Sequence, residues 1–464
     1  MNGITKCSIP VLAVLMLAAC DSDDDNSESV VTPPPAPDST YVRVHHSVAD
    51  APDVNVLVDG NVALESVPYG ASSAVLELDE GTYSIQVDGI LADMSTATVI
   101  GPADVELDDD MRYEVFAVGK VGDATIAPLI FANEVTAVTE GNARVEVVHA
   151  APDAPPVDIY VTEPGADLTA ASALTTLAFT DNSGQVEVAA GDYQVRITVA
   201  GEPATVVYDS GSLELAAGAD LVVAAVTNTM TGNAPVMLQV ADGEGAMLVP
   251  DVNAGAEIRV VHASADAPAV DVTLNNAATP AIANLPFLAA TGFVSLATGD
   301  YLVDVAAEGG DPLVLDDIPL SLATSDKLSV YAVGALGDGS LTLAAVSDMQ
   351  RRIATEAQLQ LVHASPSAGN VDIYVTETDA IADADPVFSN VPFDASALVS
   401  TGYVSLVPGD YVVTVTPTGT KNAAIGPITL TLEGGGIYSA AAVDATGGGL
   451  LPQLILLDDL APVQ

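Results

Sequence analysis

From Tyr41 onward, short runs of alternating apolar and polar residues are broken by Gly, Pro, Asp and Ser, with hardly any helical period. That pattern predicts strands joined by tight turns. Ile258-Arg259-Val260-Val261-His262 sets Ile258, Val260 and His262 on one face and Arg259 and Val261 on the other. The same register groups Val145, Val147 and His149, and again Leu359, Leu361 and His363. It groups Val42, Val44 and His46 on the apolar face and throws His45 outward. A second strand follows, as in Val157-Asp158-Ile159-Tyr160-Val161, with Asp158 on the face opposite the valines. Next come the bends Val67-Pro68-Tyr69, Leu177-Ala178-Phe179, Leu285-Pro286-Phe287 and Val391-Pro392-Phe393. Hairpin turns then recur as Gly81-Thr82-Tyr83, Gly191-Asp192-Tyr193, Gly299-Asp300-Tyr301 and Gly409-Asp410-Tyr411. Glycine permits the positive φ that such turns need, and the tyrosines read as packing residues with a hydroxyl at the rim. The fold class expected is all-β: tandem antiparallel β-sandwiches of about seven strands each.

One stretch organises the chain: Val148-His149-Ala150-Ala151-Pro152-Asp153-Ala154-Pro155-Pro156-Val157-Asp158. Worn copies begin at His46, His262 and His363. The four histidines stand roughly a hundred residues apart, which is the length of a domain. The chain therefore divides into sandwiches over residues 41–139, 141–250, 256–350 and 357–462. Short joints between them predict a semi-rigid rod. Residues 20–40, with Asp23-Asp24-Asp25 and Pro33-Pro34-Pro35-Ala36-Pro37, form an acidic, proline-rich tether that cannot build a core.

Charge narrows the function classes. There are 63 acidic residues against 11 basic ones, a formal net charge of −52. Such a surface repels nucleic acid and favours cations or cationic partners. Self-repulsion should also cost stability at low salt, where the Debye length is long. Residues 1–19 read as a signal peptide, with an apolar run from Ile9 to Leu17 too short to span a membrane. Leu17-Ala18-Ala19-Cys20 resembles the lipobox of bacterial lipoproteins. The resemblance implies cleavage before Cys20, lipidation of that cysteine, and membrane attachment through several acyl chains. It places the protein in the cell envelope, at the outer membrane or cell surface. Asp21 resembles the inner-membrane retention signal of enteric bacteria. Cys7 leaves with the leader and Cys20 is acylated, so no disulfide is expected.

The pattern Val-His-Ala-x-x-Asp-Ala-Pro-x-Val-Asp, followed at a distance by Gly-Asp-Tyr, resembles the domain of unknown function 4397. His149-Ala150 with Asp153-Ala154-Pro155 is a close match, as is His262-Ala263 with Asp266-Ala267-Pro268. Ser47 departs from the pattern in the first copy, and Ser367 and Gly369 depart from it in the fourth. The resemblance covers residues 41–462. It implies an immunoglobulin-like or transthyretin-like sandwich in a secreted or lipid-anchored protein, and it implies no activity.

Candidate chemistry gathers in the histidine motif: His46 with Asp50; His149 with Asp153 and Asp158; His262 with Asp266 and Asp271; His363 with Asp372. A zinc site needs three or four converging ligands, and each copy offers one inward histidine. His45 and His46 point to opposite faces and cannot chelate together. The expected role is structural, with the imidazole's second nitrogen bonding the turn backbone or the Asp carboxylate. Pairing of Asp153 and Asp266 with their histidines would raise the imidazole pKa values. No nucleophile elbow, zincin or Walker motif is present. No cofactor is expected beyond Ca²⁺ held weakly by Asp108, Asp109 and Asp110. These readings converge on a non-enzymatic envelope protein that adheres, assembles or binds a protein partner. A second reading is a module binding a cation, glycan or peptide at the loops beside the Asp-Ala-Pro turns.

Overall fold

The computed structural model describes residues 39–449 and 451–460; the stretch read as a signal peptide, Cys20 and the expected tether up to Asp38 lie outside the described residues. The chain is built almost wholly of strands arranged in tandem β-sandwiches. In the first sandwich the strands are β1 (Ser39–His46), β2 (Val54–Val58), β3 (Asn61–Val67), β4 (Leu76–Asp79), β5 (Gly81–Ile90), β6 (Thr96–Leu107), β7 (Met111–Val118) and β8 (Ala127–Glu134). They form two sheets, ordered β4-β1-β7-β8 and β3-β2-β5-β6. The Asp-Ala-Pro turn after β1 therefore carries the chain from one sheet to the other. Strand groups Asn142–Val249, Ala256–Ser347 and Ala357–Asp458 each repeat the arrangement with their own pair of sheets.

One pairing departs from the antiparallel expectation. β1 runs parallel to β7, with Val44 opposite Val115. The histidine strands Asn142–His149, Ala256–His262 and Ala357–Ala364 likewise lie parallel to the next-to-last long strand of their groups. The chain leaves the histidine sheet at the turn and returns only after traversing the other sheet. Such a crossover, unlike a hairpin, allows parallel neighbours.

Apolar side chains on the inner faces of each pair of sheets form the cores, as with Val157, Ile159, Ile197, Tyr208 and Leu215 in the second sandwich. The outer faces of the histidine sheets are also buried, because the sandwiches pair across them. Phe116 and Val118 of the first join the same apolar cluster as Val148, Val226 and Leu238 of the second. Val261, Tyr331 and Val346 of the third pack with Val362, Ala441, Ile455 and Leu457 of the fourth. Arg351, between the third and fourth groups, donates from Nε to Ala49 O at 3.0 Å and from Nη2 to Ala51 O, and lies over the Tyr69 ring. Short joints suggested units strung one after another; instead they share broad faces, and a linker docks on the first turn.

The face pairing also corrects the placement of His45. It does point away from the apolar face that holds His46, but it is 1% exposed. Its ring stacks on Phe116 at 4.0 Å, in the contact between the first two sandwiches.

Candidate functional site

Each histidine ends its strand on the inner face, where it meets the turn that follows. Nε2 donates to the carbonyl of the sixth residue on: His46 to Pro52 at 3.0 Å, His149 to Pro155 at 3.2 Å, His262 to Pro268 at 2.9 Å and His363 to Gly369 at 2.7 Å. Val48 N and Ser365 N lie 3.4 Å from Nδ1 of His46 and His363, which fits the tautomer with its proton on Nε2. Against each ring stands the aromatic of the bend, edge to face. Tyr69, Phe179, Phe287 and Phe393 lie at centroid distances of 6.1, 6.4, 6.0 and 5.9 Å. The two most regular motifs of the sequence are thus one contact.

The acids of the motif do not touch the imidazoles. Asp50 accepts from the amides of Val121 and Gly122, both at 2.9 Å, and Asp266 from Leu336 and Gly337, both at 2.8 Å. Each ties the turn to the loop that leaves the parallel strand. That loop bends at a glycine with φ of 97°, Gly119 or Gly334, where a Cβ would come within 2.3 Å of a backbone oxygen. Asp153 faces instead Nζ of Lys120, from the first sandwich, at 3.0 Å. In the fourth copy the acid has changed sides: Asp444, on the loop, accepts from Ser365 Oγ and, at 2.7 Å, from Ser367 Oγ. The lost turn acid at Ser367 is so replaced with donor and acceptor exchanged.

The second acid clamps the other sheet. Asp271 accepts from Asn284 N at 2.7 Å and Gly309 N at 2.9 Å; Asp372 accepts from Asn390 N and Gly419 N, both at 2.8 Å. Asp158 accepts from Thr176 Oγ1 at 2.5 Å and Gly201 N at 2.7 Å. Asn284 and Asn390 have φ of 55°, a bulge whose amide the carboxylate satisfies. The first copy manages with Asn55, whose Oδ1 accepts from Ser66 N at 2.9 Å. Asp271→Asn should cost roughly 2 kcal/mol, since one oxygen cannot serve both amides and the new NH₂ faces a donor. Hydrogen exchange should show the Gly309 or Asn284 amide losing protection; unchanged exchange at both would contradict the clamp.

Burial pushes the imidazoles down, not up. His46 falls to about 4, chiefly because its ring is removed from water, and the bond to Pro52 O offsets this only in part. His149, His262 and His363 are lowered for the same reason. The rise expected from pairing with Asp153 and Asp266 does not occur, because those carboxylates bond elsewhere. At Asp266 burial pushes upward, but the Gly337 and Leu336 amides outweigh it and hold the carboxyl below its usual range.

A cluster of buried charge that the sequence pattern did not single out lies between the first two sandwiches. Glu114 is 0% exposed and accepts from Arg43 Nε at 2.8 Å, Arg43 Nη2 at 2.7 Å and His45 Nε2 at 2.9 Å. Burial alone would raise its pKa; the bonds from His45 and Arg43 and the guanidinium charge hold it at about 2. His45 is lowered by burial despite that neighbour, so it serves as a neutral donor. Arg112 Nη1 reaches Asp220 across the contact at 2.7 Å. The alternation in β1 and β7 marked these side chains as facing away from the core; what they face was not written in it.

The hydroxyls of Tyr83, Tyr193, Tyr301 and Tyr411 donate to the carbonyls of Asp79, Ala189, Ala297 and Val407 at 2.8–2.9 Å, closing the hairpins. Asp108, Asp109 and Asp110 sit in the turn from β6 to β7, where Asp108 N donates to Tyr113 Oη at 2.9 Å. The acids that converge among the described residues are Asp304, Asp316 and Asp317, with oxygens within 4.8 Å of one another. One Asp304 oxygen accepts from Asp317 N at 2.8 Å.

Comparison with known proteins gives a family. Residues 40–160 and 256–374 match the model of the domain of unknown function (DUF4397). No curated protein matches the chain. Among solved structures, a product complex of the multi-modular glycogen-degrading pneumococcal virulence factor SpuA is 9% identical, with a TM-score of 0.16; the match covers 60% of this chain and 37% of that one. A streptococcal ancillary pilin is 11% identical over 65% of this chain and 98% of its own, with a TM-score of 0.14. The Bacteroides ovatus mixed-linkage glucan utilization protein SGBP-B, in complex with a heptasaccharide, is 14% identical over 80% and 93%, with a TM-score of 0.11. Scores this low describe no common arrangement.

Proposed function

The chain belongs to the DUF4397 family, and on that premise we propose that it is a non-enzymatic, lipid-anchored protein of the bacterial cell envelope. Its four sandwiches, each a copy of the family's unit, present acidic surface to an envelope or extracellular protein partner in adhesion or assembly. The observation that carries this reading is how the recurrent polar groups are used. Every motif imidazole is at most 1% exposed and bonds its own turn. The aspartates at the turn and on the second strand are spent on backbone amides, on Thr176 Oγ1 or on Lys120. General acid–base work needs a group within reach of a substrate proton. The imidazoles reach only the fold they belong to, while Asp153 and Asp266 are exposed carboxylates engaged by Lys120 and by loop amides.

Cys20 would carry the acyl chains, outside the inner membrane, with Asp21 as the competing address. No helix among the described residues is long and apolar enough to cross a membrane. Cys20→Ser should abolish incorporation of labelled palmitate and move the chain from the membrane fraction to the soluble one. Retention in the membrane with no label lost would contradict the anchor. For the partner, cross-linking in intact cells should recover a protein whose binding weakens with salt, as charge-steered association does. Turnover in a hydrolase screen of the purified chain, lost in His149→Gln with the fold intact, would overturn the non-enzymatic reading.

A further inference from the structure

The two sheets of the first sandwich do not close completely on each other. Between them lies an apolar cavity of about 160 Å³, walled by Val42, Val44, Val56, Val58, Leu64 and Ile100 among others. The corresponding spaces in the third and fourth sandwiches are about 50 Å³ and 10 Å³. The cause can be read from the register of the histidine strand and the strand after it. Besides the closing His46, five inward positions of these strands in the first sandwich are valine: Val42, Val44, Val54, Val56 and Val58. The third sandwich has Ile258 and Leu274 at two of them, and the fourth has Leu359, Leu361 and Ile373 at three. Each exchange adds one methylene, and the space shrinks in step. The second sandwich fills its centre differently: Tyr208, 0% exposed, lies opposite Ile197, where Ile100 lies opposite Val87 in the first.

We propose that the first sandwich binds a small uncharged hydrocarbon or aromatic molecule between its sheets. An unfilled void forfeits the dispersion contacts its walls would otherwise make, and a guest restores them. An apolar cavity of roughly 150 Å³ stays dry and admits a molecule the size of benzene. Ala63 and Ile130, both exposed, stand among the lining residues and mark a way in. Charge selects among apolar guests. A chain of net charge −52 repels carboxylates, and no lysine or arginine lines the cavity. Fatty-acid anions are therefore excluded, and neutral guests are favoured.

The test uses the full chain with benzene as the probe. Benzene should raise the melting temperature saturably, as a ligand of the folded state does. It should also shift the methyl resonances of Val44 and Val56, while octanoate at the same concentration does neither. The triple variant Val42→Leu/Val44→Leu/Val56→Ile, with the residues of the fourth sandwich, should lose benzene affinity at least tenfold. Val58→Leu, a single added methylene copied from the third sandwich, should weaken binding severalfold and serves if the triple variant fails to fold. The proposal is overturned by an unresponsive parent chain, by equal response to octanoate, or by undiminished benzene affinity in the filled variants.

Discussion

Glu114→Ala should destabilise the chain by roughly 3–5 kcal/mol, the cost of leaving a buried charge without its partner. Arg43 is 1% exposed, and its bidentate bond to Glu114 is shared with the His45 ring. With the carboxylate gone, the guanidinium keeps only a long contact to Ala241 O, at 3.5 Å. The loss falls on the contact between the first two sandwiches, so the effect should include a change of cooperativity. In urea the first sandwich should melt at a lower concentration in the variant than in the parent, ahead of the other strand groups. Glu146, raised by burial and also by the charge of Glu114, should titrate lower in the variant. A loss below about 1 kcal/mol would show that the ion cluster does not hold the contact.

Acid should destabilise the protein through its histidines. His46 titrates near 6.5 when unfolded and is pushed down to about 4 in the fold. Between those values the unfolded chain binds a proton that the native one refuses, so stability falls as pH drops through that window. From pH 7 to pH 5, His46 alone should account for about 2 kcal/mol, and above pH 7 for nothing. His45, His149, His262 and His363 shift in the same direction. Glu114, held at about 2, adds a loss only below its ordinary range. Acid also neutralises surface carboxylates and relieves their mutual repulsion in a chain of net charge −52, which works the other way. The informative quantity is therefore a difference between proteins. In His46→Gln the drop in urea stability from pH 7 to pH 5 should shrink by about 2 kcal/mol. An equal drop in parent and variant would mean that the ring already charges inside the fold. The sign is opposite to the one that pairing with Asp153 and Asp266 would have given.

Strand periodicity made the inward face of the four histidines legible, because a residue's face follows from counting by twos. It also located the aromatic bends and tyrosine turns, but not that bend and histidine meet, since the two are far apart along the strands. The β1–β7 pairing was hidden for a related reason: alternation fixes which way a side chain points and says nothing of which neighbour lies beside it, or in what direction. His45 shows the same gap. Alternation fixes its face, yet whether that face meets water or another sandwich depends on contacts such as Arg112 to Asp220, between residues 108 positions apart. The acids were harder still. Asp304 and the Asp316-Asp317 pair converge because a bulge between Val303 and Val305 shifts the register, and a bulge leaves little trace in a hydrophobic pattern.

The seat of Arg351 has a consequence for how the protein is made. Its partners Ala49 and Ala51 are translated some 300 residues earlier. The first sandwich can gather its own strands as it leaves the ribosome, but its corner stays uncapped until most of the polypeptide has followed. Ala354 N, which donates to Asp50 O at 2.8 Å, completes the same seam. A sandwich synthesised early thus waits for a linker synthesised late, and a product cut short before Met349 would carry an exposed corner where the longer chain is sealed.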